Sequence, residues 1–339
     1  AIDIRLTGQL TVARDDPNQF AGIFARAYSA GAGGSILVAA RNAVLRDQGE
    51  INAGTIGAGL GGNVSLFLVD KLIMQTGGAI RTNSDALADA GNITINAGGG
   101  IDMSGAQILT SAKVADGGNI DIVSAGQVAV RDGSLVSAEV KSGSGTGGNV
   151  SVRAGTFQLA QSTLTASAVG GSGGSLSIAA TGGLTAVDGK IAAQVSSGTL
   201  NGGNVTLSGG AVALSGTQVS ANAFAGAGGS IVIQSSGNVQ LDKSILRADV
   251  SSGTGSGGNV KLAGIAIDLR DTNVSANTFA GNGGSIRMAA IESLTVERSA
   301  ITATVTAENG AGGNIGLQSG SLAVSDSVVS SSALSGAGG

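Results

Sequence analysis

The chain has 339 residues, of which 60 are glycine and one is proline, and it contains no cysteine, histidine or tryptophan. Hydrophobic residues make up 42% and charged residues only 12%, which excludes the charge-rich, hydrophobe-poor profile of disordered chains. The net charge of −4 without a basic stripe argues against nucleic-acid binding, and the lack of histidine and cysteine excludes Ser-His and Cys-His nucleophiles and the usual zinc sites. No apolar run approaches the roughly 18 residues of a membrane helix, so no membrane insertion is predicted.

Residues 1–34 open the chain and depart from the pattern that follows. They contain an insertion centred on residues 14–19, Arg-Asp-Asp-Pro-Asn-Gln, which includes the only proline, Pro17. The same stretch holds three of the seven aromatic residues: Phe20, Phe24 and Tyr28. Because loops carry function more often than cores do, one hypothesis is that this longer loop binds a partner. The other is a longer surface turn whose rings cover the core.

After this stretch, a glycine pair followed by asparagine or serine recurs along the whole chain. We call the polar residue the anchor of its repeat. The anchors are Ser35, Asn63, Asn92, Asn119, Asn149, Ser175, Asn204, Ser230, Asn259, Ser285 and Asn314. Their spacings run from 26 to 30 residues, and from Asn149 onward they alternate between 26 and 29, a double repeat of 55. Self-similarity at such a period is typical of a solenoid.

Each repeat begins with an apolar–polar–apolar pattern, the period of a strand with one buried face. The first residue after the anchor is Ile36, Val64, Ile93, Ile120, Val150, Leu176, Val205, Ile231, Val260, Ile286 or Ile315. The third is Val38, Leu66, Ile95, Ile122, Val152, Ile178, Leu207, Ile233, Leu262, Met288 or Leu317. This pattern predicts one short strand at the start of every repeat.

Two further strands are predicted in each repeat. A second apolar pair occurs at Phe157/Leu159, Val212/Leu214, Val239/Leu241, Ile267/Leu269, Leu294/Val296 and Leu322/Val324. A third strand is led by Leu164, Ile191, Val219, Ile245, Val274, Ile301 and Val329. One repeat cannot bury its own apolar face, whereas stacked repeats form a continuous core.

A last apolar row lies twenty residues after the anchors. Its members are Val169, Val195, Phe224, Val250, Phe279, Val305 and Leu334. We expect them to stack as one ladder at a corner of the core. The alternative is an exposed apolar stripe that meets a partner.

These patterns predict an all-β fold: a right-handed parallel β-helix, or β-solenoid, of about 12 coils with three short strands per coil and typically 26–30 residues per coil. We expect one continuous solenoid over 1–339, an atypical first coil over 1–34 and no separate second domain. The glycine pairs are expected to supply positive φ at a corner. Alternation of asparagine with serine argues against an unbroken asparagine ladder. Because the chain starts and stops in phase with the repeat, we expect further coils, or stacked copies, on both sides.

Acidic residues with basic neighbours recur near the second turn of the coils, where they are the candidates for catalysis. They are Asp132, Asp188, Asp242, Asp271, Glu297 and Asp326. One hypothesis is a carbohydrate-active β-helix enzyme, but such an enzyme builds its cleft from long loops, and these turns are short. We therefore interpret the row as solvated turns, and predict no catalytic residue, cofactor site or metal site. Matches to G-x-G-x-x-G, such as Gly57-Gly59-Gly62, lack the helix that a dinucleotide site requires.

The repeat "GGNVTLSGGAVALSGTQVSANAFAGAGGS" (202–230) resembles the repeat regions of filamentous-haemagglutinin-like exoproteins, and so does "AGNITINAGGGIDMSGAQILTSAKVADGGNIDI" (90–122). The shared motif is G-G-N-[IV]-x-[IVL], an apolar pair and a short Ser/Ala strand. The resemblance implies a large adhesin of the two-partner secretion family, exported by an outer-membrane β-barrel transporter and active in adhesion or biofilm formation. The family's N-terminal secretion domain is not found in this sequence.

The leading functional hypothesis is a non-catalytic structural shaft of a secreted or cell-surface bacterial fibre. Its expected partners are further coils or copies end to end, and surface glycans or neighbouring cells. The alternatives are a glycan- or protein-binding module, a carbohydrate-active enzyme, and a phage tail-fibre solenoid. The first coil and the apolar row are the only candidates for a binding surface.

Overall fold

The computed structural model describes residues 1–16, 18–307, 310–335 and 337–339. Pro17 of the predicted loop therefore lies outside the described residues. Within these ranges every assigned element is a β-strand, and every strand pairs in parallel with its counterpart one coil away. The predicted all-β parallel solenoid is confirmed. Its third strands form one 12-stranded sheet, so twelve coils are joined by eleven coil-to-coil steps.

Each coil contributes a first, a second and a third strand. The first strands are Ile2–Arg5, Ile36–Ala40, Val64–Leu68, Ile93–Ala97, Ile120–Val123, Val150–Ala154, Ser175–Ala180, Asn204–Gly209, Ser230–Ser235 and Asn314–Gln318. The second strands are Gln9–Ala13, Asn42–Arg46, Lys71–Gln75, Gly100–Ser104, Gln127–Arg131, Thr156–Ala160, Gly183–Val187, Ala211–Ser215, Val239–Asp242 and Ser321–Ser325. The third strands are Gly22–Phe24, Glu50–Asn52, Ala79–Arg81, Gln107–Leu109, Leu135–Ser137, Thr163–Thr165, Lys190–Ala192, Gln218–Ser220, Ile245–Arg247, Asn273–Ser275, Ala300–Thr302 and Val328–Ser330.

Two coils depart from the three-strand pattern. In them the first and second strands merge into single strands, Asn259–Arg270 and Ser285–Glu297. The merged pair stays hydrogen-bonded across the turn, apart from a register irregularity between Gly264 and Ala266. Strand pairing therefore continues where the sequence predicted a break.

The predicted apolar columns of the first and second strands form the core. Ile233, for example, pairs with Leu207 on one side and Leu262 on the other, and all three are fully buried. Inner residues on these columns exclude water because each is covered by its counterparts in the adjacent coils. Their burial supplies the main driving force for stacking.

In the third strands, the assignment of Ile245 as the leading core residue is wrong. The inward residue of its coil is Leu246, which pairs with Val219 and is fully buried, whereas Ile245 is only partly buried on the outer face. The cause is one extra residue in the coils anchored by Ser175, Ser230 and Ser285. It precedes the second strand, since Leu184 lies nine residues after Ser175 while Phe157 lies eight after Asn149.

The same extra residue splits the apolar corner row, so the predicted single ladder is also wrong. Val195 is bridged to Ala168, Val250 to Ala223, and Val305 to Thr278, which lie nineteen and not twenty residues after their anchors. The three valines are buried. Their expected stacking partners are displaced outward: Phe224 is 41% exposed, Phe279 45% and Leu334 71%.

The glycine pairs serve a different purpose from the one predicted. None of the pairs before the anchors has a positive φ. Instead, a Cβ on Gly203 would overlap the carbonyl oxygen of Gly174 in the preceding coil. The Gly203 N–H also closes its own coil by donating to the Ala193 carbonyl at 2.7 Å. Glycine is needed here because backbones of successive coils touch.

Asparagine anchors connect the coils through their side chains. The Asn63 Oδ1 accepts the Asn92 backbone N–H at 2.8 Å, Asn92 accepts that of Asn119 at 2.8 Å, and Asn119 that of Asn149 at 2.9 Å. The ladder is unbroken over these four anchors and then passes to Ser175, which has no amide. The expectation of an interrupted ladder is therefore correct only beyond Asn149.

Candidate binding cleft on the first coils

The outer face of the 12-stranded sheet, which the third strands form, carries the candidate site at the first four coils. Phe24, Asn52 and Arg81 are neighbours in register on successive third strands. Two positions earlier, Gly22, Glu50 and Ala79 form a second outward column. Because parallel strands lie roughly 4.8 Å apart, these side chains from distant parts of the sequence share one small surface.

A hollow follows where the chain bends beyond the third strand. The outward residue at this bend is Arg26 in the first coil, Gly54 in the second and Asn83 in the third. A Cβ on Gly54 would lie 2.7 Å from the Asn83 carbonyl oxygen, so glycine allows these two coils to approach closely beside the hollow. The resulting cavity, about 220 Å³, is also lined by Glu50, Asn52, Arg81 and Asp85.

A second hollow of about 330 Å³ adjoins the first. It is lined by Arg14, Phe20 and Phe24 from the first coil and by Gln48 and Gln107 from later ones. Glu50 and Arg81 line both hollows, so the two are neighbours. We call the pair the first-coil cleft.

The floor of the first-coil cleft is held by side-chain hydrogen bonds. Arg81 Nη2 donates to Gln107 Oε1 at 2.8 Å, and its Nε lies 3.4 Å from Glu50 Oε1. Asn52 Nδ2 donates to the same Glu50 oxygen at 2.8 Å, and Asn52 Oδ1 accepts the Gly54 N–H at 2.7 Å. These partners fix the rotamers of three polar side chains, which pre-organises the floor.

The rim of the cleft differs from its floor. Among the described residues, the side chains of Arg26 and Asp85 have no hydrogen-bond or ion-pair partner, and the Arg26 guanidinium carbon lies 5.4 Å from the centre of the Tyr28 ring. Tyr28 is 71% exposed and Phe20 90% exposed. Among the described residues the rim therefore carries a cation and a carboxylate without charge partners, together with the Phe20 ring, and the Tyr28 ring lies beside Arg26.

The acidic row of the second turn is explained by backbone geometry. Residues at one position of this turn have φ between 46° and 60°, a region in which aspartate is better tolerated than most residues. Asp132, Asp188, Asp271 and Asp326 occupy that position, whereas Asp242 and Glu297 precede it. In the described residues no three acidic side chains converge as metal ligands.

Charge pairing in this row runs between coils. Arg298 Nε donates to Asp271 Oδ1 at 2.8 Å, and this bond lowers the pKa of the exposed Asp271 carboxyl below its usual value. Arg270 pairs with Glu297 at 3.2 Å. The row is an alternation of charges along the surface, as the sequence suggested.

The sequence missed a buried hydroxyl ladder directly after this turn position. Ser134 Oγ accepts the Ala106 N–H at 3.1 Å, Ser299 Oγ accepts the Thr272 N–H at 3.0 Å, and Thr272 accepts that of Ser244 at 3.3 Å. Each of these hydroxyls also donates within its own coil, as Thr272 does to the Arg270 carbonyl at 2.9 Å. The recurrence of serine or threonine right after the turn residue was the available signal.

Comparison with known proteins gives no relative: no family model, no curated protein and no solved structure matches the chain. The described residues contain no helix of the length and apolarity needed to cross a bilayer. The chain is a β-solenoid repeat protein by its own geometry.

Proposed function

We propose that this chain is a stretch of the non-catalytic shaft of a secreted or cell-surface bacterial fibre or adhesin. The observation that carries the proposal is the uniform pairing of three strands per coil over all eleven steps. A solenoid of twelve coils at roughly 4.8 Å per coil is a rod about 58 Å long, whose length grows with the number of coils. Such a rod can hold a distal site away from a surface.

The proposed family is that of the filamentous-haemagglutinin-like, two-partner secretion adhesins. The repeat motif after each glycine pair supports it, since its asparagine and its two apolar residues occupy defined structural positions. Export would then use an outer-membrane β-barrel transporter, and the protein would work at the cell surface in adhesion or biofilm formation.

Further coils or further copies are the proposed partners along the rod axis. An inner coil buries its apolar columns only through contact with two neighbours, as Ile233 does between Leu207 and Leu262. A coil of this kind is complementary to another coil of the same kind. Long rods follow from adding coils without any new type of contact.

Immunoelectron microscopy of intact bacteria, with antibodies raised against this chain, tests the proposal. We expect label along thin surface filaments that are much longer than about 60 Å, the span of these twelve coils. Label that appears only after the cells are permeabilised would contradict the surface location. Isolated short particles in the secreted fraction would contradict the shaft.

A further inference from the structure

We propose that the first-coil cleft is a carbohydrate-binding site, which takes an oligosaccharide that carries carboxylate groups. This role goes beyond that of a shaft. The site comprises Phe20 as a ring platform, Arg26 as the carboxylate partner, and Asn83 and Asp85 as hydrogen-bonding groups for hydroxyls. Tyr28, which lies against Arg26, adds a second ring beside the cleft.

The mixture of exposed aromatic rings and planar polar groups favours a sugar. The C–H face of a sugar ring packs on an aromatic face, and its hydroxyls both donate and accept hydrogen bonds, so they need amide and carboxylate partners. The Asn83 Oδ1 already accepts the Ser111 N–H at 3.1 Å. Its Nδ2 has no acceptor among the described residues and can donate to a sugar hydroxyl. Asp85 supplies acceptors on the same rim.

The charges of the cleft narrow the class of ligand. Arg81 is paired with Glu50, whereas Arg26 lacks an acidic partner within the described part of the chain. A guanidinium binds a carboxylate with two parallel hydrogen bonds. Glu50 and Asp85 interrupt the basic lining, so the cleft has no continuous basic stripe of the kind that tracks a nucleic-acid backbone, and its polar floor is unsuitable for an apolar helix.

The shape of the cleft suits an elongated ligand. Its two hollows share Glu50 and Arg81, and its lining comes from the first four coils, a distance of about 14 Å between the outer two. The floor is pre-organised by the Arg81–Gln107 and Asn52–Glu50 bonds, so little side-chain ordering is required on binding.

Isothermal titration calorimetry of the full chain with an oligogalacturonate hexamer and with neutral cellohexaose tests the proposal. We expect the acidic hexamer to bind more tightly than the neutral one. Arg26→Gln should weaken the binding of the acidic hexamer by about tenfold or more, since a hydrogen bond to a charged group contributes about that factor. Phe20→Ala and Tyr28→Ala should each weaken the binding of the acidic hexamer less than Arg26→Gln does, since each removes an aromatic face. All three side chains are at the surface, so thermal unfolding should not change.

Matched controls come from the far end of the solenoid. Phe279→Ala removes an aromatic side chain that is 45% exposed, and Arg287→Gln removes an outward arginine of the merged strand Ser285–Glu297. Neither change should alter the binding of the acidic hexamer. Equal affinity for the neutral hexamer would overturn the carboxylate assignment. Absence of binding by both hexamers, or unchanged binding in the three cleft variants, would overturn the site itself. The shaft proposal would be unaffected, because it is tested separately by the microscopy of surface filaments.

Discussion

The regular coils and the rim of the first-coil cleft differ in whether their polar side chains bond to a neighbouring coil. In the regular coils, serine, threonine and asparagine side chains accept hydrogen bonds from neighbouring coils. Thr272 Oγ1 accepts the Ser244 N–H, and Asn204 Oδ1 accepts the Ser230 N–H at 3.1 Å. In the cleft, Arg26 and Asp85 lie at the rim without such partners among the described residues. In a stacked repeat, binding capacity is therefore to be sought where a polar side chain does not serve the next coil.

The strongest way to break the regular coils is Ile233→Asp. This change buries a carboxylate in the apolar column between Leu207 and Leu262 and leaves it unpaired, at a cost of several kcal/mol. We expect a large fall in melting temperature by circular dichroism. The matched change Val232→Asp, one residue earlier on the outer face, should be nearly neutral. Equal melting temperatures for both variants would contradict the register.

The touching glycines are the next target. Gly203→Ala places a Cβ on the carbonyl oxygen of Gly174, so the backbones must separate, which we expect to cost about 1–3 kcal/mol. Gly183→Ala is the control, because a Cβ there has no atom within 4 Å. Chemical denaturation measures both. If Gly203→Ala were as stable as the control, close approach would not be the reason for the glycine pairs.

A loss in the same range is expected from the hydroxyl ladder. Thr272→Val keeps the shape of the side chain but removes the acceptor of the Ser244 N–H, and an unsatisfied buried donor costs about 1–3 kcal/mol. The outward Thr206→Val should change stability by less than about 0.5 kcal/mol. Hydrogen exchange at Ser244 offers a second readout, since its amide should exchange faster in Thr272→Val alone.

The smallest effect, and one of opposite sign, is expected from Asp249→Asn. Burial raises the pKa of Asp249 above its usual 3.8, although Ser275 and Asn277 donate hydrogen bonds to it. A raised pKa means that folding favours the protonated form, so this carboxyl destabilises the fold increasingly as the pH rises above about 3.8. The variant should therefore gain a few degrees or less in melting temperature at pH 7 and nothing at pH 3.

Asp271→Asn sharpens the same measurement because its pKa is shifted the other way. The Arg298 hydrogen bond lowers the pKa of Asp271, so its contribution to stability is present at neutral pH and is lost as the pH falls below 3.8. Melting temperatures from pH 3 to 7 should diverge in opposite directions for the two variants. Parallel curves would contradict both assignments.

The sequence predicted the fold because burial repeats faithfully. The apolar columns at the first and third positions after the anchor pair in the structure as predicted, since a polar residue there would be costly in every coil. The errors arose where two apolar residues are adjacent. Ile245 and Leu246 are both suitable for a core, and only the extra residue of the coil anchored by Ser230 decides which one points inward.

The cleft could not be predicted to the same extent. Phe20 and Tyr28 stand out in the sequence as aromatic residues of the atypical first coil. Asn52, Arg81 and Asn83 come from later coils and follow no repeat pattern. Outer positions tolerate many residues, so their identities carry no periodic signal. Their proximity depends on coil register, which the anchor pattern defines poorly across the insertion of the first coil.

The coil-to-coil hydrogen bonds have a mechanical consequence. Bonds between parallel strands lie along the rod axis, so a pull on a tethered rod loads the coil interfaces in series, and each interface carries the full force. Within one interface, by contrast, all three strand pairs share the load and must yield together. The rod is then as strong as its weakest interface, and adding coils lengthens it without weakening any single one.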